Sequence, residues 1–208
     1  MDTSKSIRSY LDELSSNSPT PGGGNVSAFL GSLASGLGTM VCNLTIGKKK
    51  YAGSEAEMLE VRKSLEDFRE KFILLAQKDN EAFDRVMDAF KLPKETEEEK
   101  AQRVEKIDQA TFQAAEVPSE VIRLCNDVLP LIDSVAEKGN QNSLSDAGVA
   151  ALLLASAVQG AFLNVLINCS SLKNQTIAGE LLKSAEILCN DVKTKSASIV
   201  DKIIQRLK

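Results

Sequence analysis

Residues 26–47, VSAFLGSLASGLGTMVCNLTIG, contain no charged side chain. Large apolar residues recur in this run at intervals of three and four, at Leu30, Leu33, Leu37, Met40 and Leu44. This periodicity predicts a helix. A second face of the same helix is small or faintly polar, at Ser27, Gly31, Ser35, Thr39 and Asn43. Such a narrow ridge would let another helix approach closely.

A second uncharged run covers residues 147–172 and carries its own ridge at spacing four, formed by Ser156, Gly160, Asn164 and Asn168. Helices without a charged face are typical of a protein interior. We therefore expect two buried central helices, packed on each other. Two membrane spans are the alternative, because both runs exceed the roughly 20 residues that a bilayer requires.

The remaining sequence is amphipathic and predicts helices over residues 4–15, 54–91, 96–138 and 175–207. Thr96 and Glu99 have the spacing of a capping box. We expect Pro118 to break or restart the third of these helices and Pro130 to kink it. Gly139 would cap its C-terminus, and Ser145 would cap the second central helix. The prediction is a single all-α domain over residues 1–208, with two central helices surrounded by long amphipathic ones.

Composition restricts the chemistry, because none of the 208 residues is histidine. Ser-His-Asp and Cys-His nucleophile systems and HExxH metal sites are thereby excluded. The four cysteines form no CxxC pair, so we predict no metal site and reduced core thiols. A net charge of -4 disfavours nucleic acid as a partner. The N-terminal residues lack the apolar core of a signal peptide, so we expect a soluble cytoplasmic protein.

Asp79 is the most informative single residue. It lies seven positions after Phe72 and four before Phe83, in line with the apolar stripe of its helix. Burial would raise the pKa of this carboxyl group and suit it to general acid or base catalysis. A structural aspartate, satisfied by hydrogen bonds from a neighbouring helix, fits the same pattern.

Three polar turns flank the central helices. Gly22, Gly23, Gly24 and Asn25 precede the first, where glycines allow a ligand close to the backbone and the helix N-terminus favours an anion. Lys48, Lys49, Lys50 and Tyr51 follow it, and could bind a carboxylate or complement the helix dipole. Asn140, Asn142, Ser143 and Asp146 precede the second central helix, where ordinary capping would also explain them. The glycine run could equally be a flexible hinge.

Taken together, these stretches resemble the formiminotransferase-cyclodeaminase C-terminal family. The resemblance is carried by PTPGGGN at 19–25, NLTIGKKKY at 43–51, Asp79 with Ala82 and Phe83, Leu92-Pro93-Lys94 with the acidic run to Lys100, the 139–146 turn, and Asn164-Val165 with Asn168. These motifs keep the family's order and cover nearly the whole chain. The commoner form of the glycine motif has Ser where this chain has Asn25.

The resemblance implies an all-α homodimer with a folate pocket near the subunit interface. It implies chemistry on the one-carbon unit attached to N5 and N10 of tetrahydrofolate, with no cofactor beyond that substrate. From its position in the apolar stripe, Asp79 is our hypothesis for the acid or base, with Asp146 in reserve. Substrate contacts are expected from Gly22, Gly23, Gly24, Asn25, Lys48, Lys49, Lys50, Tyr51, Phe83, Asn140 and Asn164.

Two activities at the same carbon remain open. We favour methenyltetrahydrofolate cyclohydrolase, a hydrolase, over formiminotetrahydrofolate cyclodeaminase, an ammonia lyase that closes the ring. A helical dimer that binds folate without turnover is a third hypothesis.

Overall fold

The structure is a computed structural model that describes residues 6–208. All regular secondary structure in this range is helical, which confirms the all-α prediction. The α-helices are α1 (Ile7–Leu14), α2 (Gly23–Thr45), α3 (Glu55–Phe90), α4 (Glu97–Lys138), α5 (Leu144–Ser170) and α6 (Gln175–Leu207), with short 3₁₀ helices at Lys49–Ser54 and Gln141–Ser143. A continuous apolar core joins α2 to α6 into one domain. The first two residues of the helix predicted over 4–15 lie outside the described range.

Helix α2 packs through its small residues. A side chain at Gly31 would place its Cβ 2.7 Å from Cζ of Phe72 on α3, and one at Gly38 would lie 2.8 Å from Cδ1 of Leu65. A Cβ at Gly160 of α5 would clash with the hydroxyl of Ser27 on α2. The small ridge therefore brings α2 against both α3 and α5, as its spacing predicts.

The large apolar residues of the central helices are partly exposed, so the prediction that both helices are buried is not confirmed for the single chain. On α2 the exposed residues are Leu33, Met40 and Leu44, and on α5 they are Val149, Leu152, Leu163, Leu166 and Ile167. Both helices bury their small faces in the core and present leucine-rich faces outward. Exposed leucine-rich faces are typical of interaction surfaces.

Helix α4 continues through both of its prolines, so the predicted break at Pro118 is wrong. Proline lacks an N–H, which leaves the carbonyl four residues earlier without its helical donor. Here that carbonyl belongs to Ala114, and Asn168 of α5 donates to it from Nδ2 at 2.9 Å. A hydrogen bond from a neighbouring helix thus replaces the missing bond and lets α4 continue.

The helix ends mostly follow their sequence signals. The capping box of Thr96 and Glu99 is present, with the Glu99 N–H donating to Oγ1 of Thr96 at 3.2 Å. Gly139 ends α4 at a φ of −77°, which is not a left-handed conformation. Glycine is required there because a Cβ would lie 2.5 Å from Val135 O. The predicted capping role of Ser145 is wrong, because α5 begins one residue earlier at Leu144 and its N-cap is Ser143.

Two helical segments, α2 and Gln141–Ser170, have the length and apolar composition that a bilayer crossing requires. Core helices of soluble proteins can share these properties. All four cysteines are free and buried. Burial raises the pKa of the Cys42 thiol to about 11, which keeps it protonated and unreactive.

Candidate active site

A cavity of about 330 Å³ opens between α2, α3, α4 and α5. It is lined by Pro19, Thr20, Gly22, Gly23, Gly24, Asp79, Phe83, Val86, Ala114, Asn164, Ile167 and Asn168. The glycine turn, the carboxyl group of Asp79, Phe83 and Asn164, all predicted as site residues, therefore share one cavity.

Asp79 lies directly against the first turn of α2. A Cβ at Gly24 would lie 2.7 Å from Cγ of Asp79 and 2.8 Å from its Oδ2. No side chain can occupy that position without displacing the carboxyl group. The close approach of Asp79, not an unusual backbone conformation, is what requires glycine at residue 24.

The carboxyl group of Asp79 also serves as a cap for α2. No side chain of α2's own N-cap, Gly22, is available for this role, and the backbone N–H of Asn25 in the first turn donates to Asp79. Burial raises the pKa of Asp79, and the hydrogen bond from Asn25 opposes this shift without cancelling it. Asp79 is therefore both a helix cap and a carboxyl group that holds its proton more tightly than usual.

Asn25 is fully buried, and its side chain is used entirely within the protein. Its Oδ1 accepts from the Tyr10 hydroxyl at 2.9 Å, and its Nδ2 donates to Ala76 O at 2.6 Å and to Asn80 Oδ1 at 3.1 Å. Asn25 does not line the cavity, so the expectation that its side chain contacts substrate is corrected. Its amide instead connects α1, α2 and α3 behind Asp79.

Helix α5 lines the side of the cavity opposite the glycine turn. Asn164 donates from Nδ2 to Gly160 O at 2.8 Å, and the same atom lies 3.4 Å from where a Cβ at Gly23 would stand. Asn168, which donates to Ala114 O, lies one turn further along. Two amide side chains thus face the glycine turn across the cavity.

The other predicted polar groups form a second cluster. Asn140 donates to Leu44 O at 3.0 Å and its Oδ1 accepts from the Tyr51 hydroxyl at 3.3 Å. The Gln141 N–H donates to the same hydroxyl at 3.0 Å. Lys48, Lys49 and Lys50 are exposed beside this cluster, with the Lys50 ammonium 5.4 Å from the Tyr51 ring centre.

Within one chain the two clusters do not meet. Gly24 and Thr45 are at opposite ends of α2, so about 30 Å of helix separates Asp79 from the lysine turn. Asp146 lies in the first turn of α5 and Asn164 near its other end. The substrate contacts expected at the two turns therefore do not share one cleft within an isolated subunit, since α2 holds the turns apart.

No three cysteine, aspartate or glutamate side chains among residues 6–208 are grouped so as to hold a metal ion. The chemistry available in the cavity is that of one carboxyl group, two amides, the Thr20 hydroxyl and the backbone of the glycine turn. A carboxyl group with a raised pKa suits proton transfer to and from a bound substrate.

Sequence reasoning missed Tyr10 and Asn80, and it placed Asn168 on the ridge of α5 and in the family motif without counting it among the substrate contacts. Tyr10 lies in the amphipathic helix predicted over residues 4–15, and a buried phenol there normally needs a polar partner. Asn80 lies beside Asp79 in sequence but carries no periodic signal. Asn168 stands four residues after Asn164 on the same ridge, so the same spacing could have added it to the predicted substrate contacts.

The chain is thus an all-helical domain that holds a buried carboxyl group with a raised pKa against a PGGG turn. The model of the formiminotransferase-cyclodeaminase family matches residues 6–187, and the chain belongs to this family. The resemblance inferred from the sequence motifs is thus confirmed.

Similar proteins include enzymes of two names. A methenyltetrahydrofolate cyclohydrolase from Methylorubrum extorquens is 46% identical over 182 residues, which cover 88% of each chain. The formimidoyltransferase-cyclodeaminase of Gallus gallus is 31% identical over 94% of this chain, but the match covers only 36% of that protein. The crystal structure of a formiminotetrahydrofolate cyclodeaminase from Thermotoga maritima superimposes with a TM-score of 0.81 at 33% identity, covering 96% of this chain and 98% of that one.

Proposed function

We propose that the chain is a folate one-carbon enzyme that hydrolyses the methenyl bridge between N5 and N10 of tetrahydrofolate. The observation that carries the proposal is the carboxyl group of Asp79, which faces the cavity with a raised pKa against the backbone of the glycine turn. The 46% identity to a methenyltetrahydrofolate cyclohydrolase over most of both chains supports the choice of reaction.

Asp79 acts as the proton carrier in this mechanism. Its carboxylate takes a proton from water as the water oxygen bonds to the cationic methenyl carbon, which gives a neutral carbinol. The bond from that carbon to N5 then breaks, its electron pair stays on N5, and Asp79 returns the proton there. The carbinol hydroxyl loses its proton to solvent, so the products are a formyl group on N10 and one proton. A raised pKa makes the carboxylate a stronger base for the first step.

Formiminotetrahydrofolate cyclodeaminase activity is the second candidate, favoured by the name of the Thermotoga maritima structure. In that reaction N10 bonds to the carbon of the protonated formimino group, and the N10 proton passes through Asp79 to the formimino nitrogen. The bond from the carbon to that nitrogen then breaks, its electron pair leaves with ammonia, and the cationic methenyl bridge remains. Neither reaction requires a metal or redox cofactor, and we propose none beyond the folate substrate.

A two-substrate assay tests the proposal. Purified protein is added separately to methenyltetrahydrofolate and to formiminotetrahydrofolate, and the methenyl absorbance is followed. The absorbance falls for hydrolysis and rises for ring closure. Saturable folate binding without turnover of either substrate would instead indicate a non-catalytic folate-binding dimer and overturn the enzymatic proposal.

We propose further that the working unit is a homodimer formed through the exposed apolar faces of α2 and α5. Burying those faces stabilises association. Two copies of α2 running antiparallel across a two-fold axis would bring one subunit's lysine turn toward the other's Asp79. This arrangement would let Lys48, Lys49 and Lys50 attract the glutamate carboxylates of a folate held in the Asp79 cavity, with Tyr51, Asn140 and Asp146 beside them.

Complementation between two inactive variants tests the shared site. One variant carries Asp79→Asn and the other carries alanine at Lys48, Lys49 and Lys50. If each site combines residues from both subunits, mixed dimers contain one site with both sets intact and recover about a quarter to a half of wild-type turnover. No recovery in dimers shown to be mixed would contradict the arrangement.

We also propose that the protein is soluble and cytoplasmic. Helix α2 packs against α3 and α4, which are rich in charged side chains and would not enter a bilayer. Recovery of the protein in the soluble fraction without detergent supports this, and recovery only in membranes contradicts it.

A further inference from the structure

The side-chain amides of Asn164 and Asn168 are both fixed in orientation. Each donates from Nδ2 to a backbone carbonyl, Gly160 O at 2.8 Å and Ala114 O at 2.9 Å. Only the NH₂ end of an amide can hydrogen-bond to a carbonyl oxygen. The Oδ1 atom of each residue is therefore set as an acceptor, and no residue in the described range 6–208 donates to either.

The orientation of Asn168 depends on Pro118. Because Pro118 has no N–H, the carbonyl of Ala114 has no helical donor, and a buried carbonyl without a donor is costly. Rotating the Asn168 amide by half a turn would place its Oδ1 against the carbonyl oxygen of Ala114 and leave that carbonyl without a donor. Pro118 thus fixes which end of the Asn168 amide is available to the cavity.

The cavity therefore offers acceptors on one side and apolar surface around them. Its polar side chains are Asp79, Asn164 and Asn168, together with Thr20, and its large apolar side chains are Phe83, Val86 and Ile167. A flat ring with several N–H donors on its edge complements such a wall. A group bearing carboxylates does not, since acceptors and the Asp79 carboxyl group would repel it.

We infer that Asn164 and Asn168 form an acceptor pair that binds the N–H-bearing edge of the reduced pterin ring. This inference rests on the proposed folate function and specifies which half of the substrate enters the cavity. The 2-amino group, N3–H and N8–H of a tetrahydropterin supply the donors. The aminobenzoyl-glutamate half then extends out of the cavity.

Fragment binding tests the inference without relying on catalysis. 6-Methyltetrahydropterin and 4-aminobenzoylglutamate are titrated separately into wild-type protein and the Asn168→Ala variant under anaerobic conditions, with calorimetry as the readout. Loss of one hydrogen bond should weaken pterin binding about tenfold, while binding of 4-aminobenzoylglutamate changes less than about twofold. Asn126→Ala, an asparagine on α4 outside the cavity, is the matched control and should leave both affinities unchanged. Equal pterin affinity in wild type and Asn168→Ala overturns the inference.

A double variant separates binding from structure. Asn168→Ala leaves Ala114 O unpaired and should lower the melting temperature. Adding Pro118→Ala restores an N–H that can donate to Ala114 O within α4, so the double variant should regain stability while pterin binding remains weak. Recovery of pterin affinity together with stability would show that Asn168 acts only through the fold and would overturn the inference.

Turnover of wild type on both folate substrates is measured in parallel. If wild type turns over a folate substrate but Asn168→Ala binds the pterin as tightly as wild type does, the inference is overturned and the proposed function stands. If wild type is inactive but Asn168→Ala weakens pterin binding, the pterin site is supported and the proposed reaction is overturned.

Discussion

Asp79 combines two requirements in one side chain. It caps α2 by accepting from the Asn25 N–H, and it faces the cavity with a raised pKa. A cap favours the ionised carboxylate, whereas burial favours the neutral acid, and burial dominates here. A structural role for Asp79 and the proposed catalytic role are therefore compatible in the same side chain.

Replacing Asp79 by Asn should separate these roles. The amide oxygen can still accept from Asn25, but the proton carrier is gone, so kcat should fall by about 10²–10⁴-fold in the two-substrate assay. Turnover within a few-fold of wild type would remove Asp79 from the proposed mechanism.

The same Asp79→Asn variant has a predicted pH signature in stability. A raised pKa in the folded state means that wild type is relatively stabilised at low pH and loses that stability as pH rises from the ordinary Asp value of about 3.9 through the folded pKa. Asn cannot ionise, so the melting temperature of the variant relative to wild type should increase across that range and then level off. Thermal melts from pH 4 to pH 8 measure it. A difference that decreases with rising pH would contradict the sign.

Gly24→Ala tests the close approach of Asp79 to α2. The new Cβ would lie 2.7 Å from Cγ of Asp79, so the carboxyl group must move. We expect a loss of about 1–3 kcal/mol in unfolding free energy together with reduced kcat. Gly179→Ala is the control, because nothing lies within 4 Å of its Cβ. It should be neutral or stabilising by up to about 1 kcal/mol, since alanine is the better helix former.

Tyr10 and Asn25 should be energetically coupled. Tyr10→Phe leaves the buried Oδ1 of Asn25 without its donor and should cost about 1–3 kcal/mol. In an Asn25→Ser background, where that acceptor is absent, Tyr10→Phe should cost much less. A double-mutant cycle from denaturant unfolding measures the coupling, and strictly additive effects would show that the hydrogen bond contributes nothing.

At the scale of elements, α2 shows how one helix can serve both packing and site formation. Its glycines allow Phe72 and Asp79 to approach from α3 at two points along one face. Its first turn supplies the N–H that orients Asp79, and α5 closes against it through Gly160 and Ser27. The cavity therefore exists because small residues bring three helices unusually close together.

The N-terminus of α4 offers an independent test of local stability. Thr96→Ala removes the cap acceptor for the Glu99 N–H and should cost about 0.5–2 kcal/mol. The effect should be concentrated in the first turn of α4, as faster amide exchange there, with kcat unchanged because this turn is not among the residues that line the cavity. Unchanged exchange rates would show that the capping box contributes little.

For the whole molecule, the exposed faces of α2 and α5 predict association. Leu163 is 65% exposed on α5 and Ile187 is 59% exposed on α6. If the dimer forms through α2 and α5, Leu163→Glu should shift the protein from dimer to monomer in sedimentation velocity, whereas Ile187→Glu should not. A wild-type protein that sediments as a monomer would contradict the dimer proposal.

The separation of the two polar clusters also favours a dimer. Each is well ordered by hydrogen bonds within the chain, yet α2 keeps them about 30 Å apart. A single subunit thus presents half of the predicted substrate contacts at either end. The proposed dimer explains why both sets occur in one sequence.

Sequence alone determined the helical class, the ends of the long helices, the capping box and the position of Asp79 on the apolar stripe of its helix, because all of these depend on local periodicity and on side chains near in the chain. Only the tertiary structure decided that the Asn25 side chain links α1, α2 and α3 by hydrogen bonds and that Asn168 donates to the carbonyl that Pro118 leaves without a helical donor. It also decided that the lysine turn lies far from Asp79. Those facts depend on which residues of different helices come together, and helical periodicity fixes the face of each helix but not the partner that the face meets.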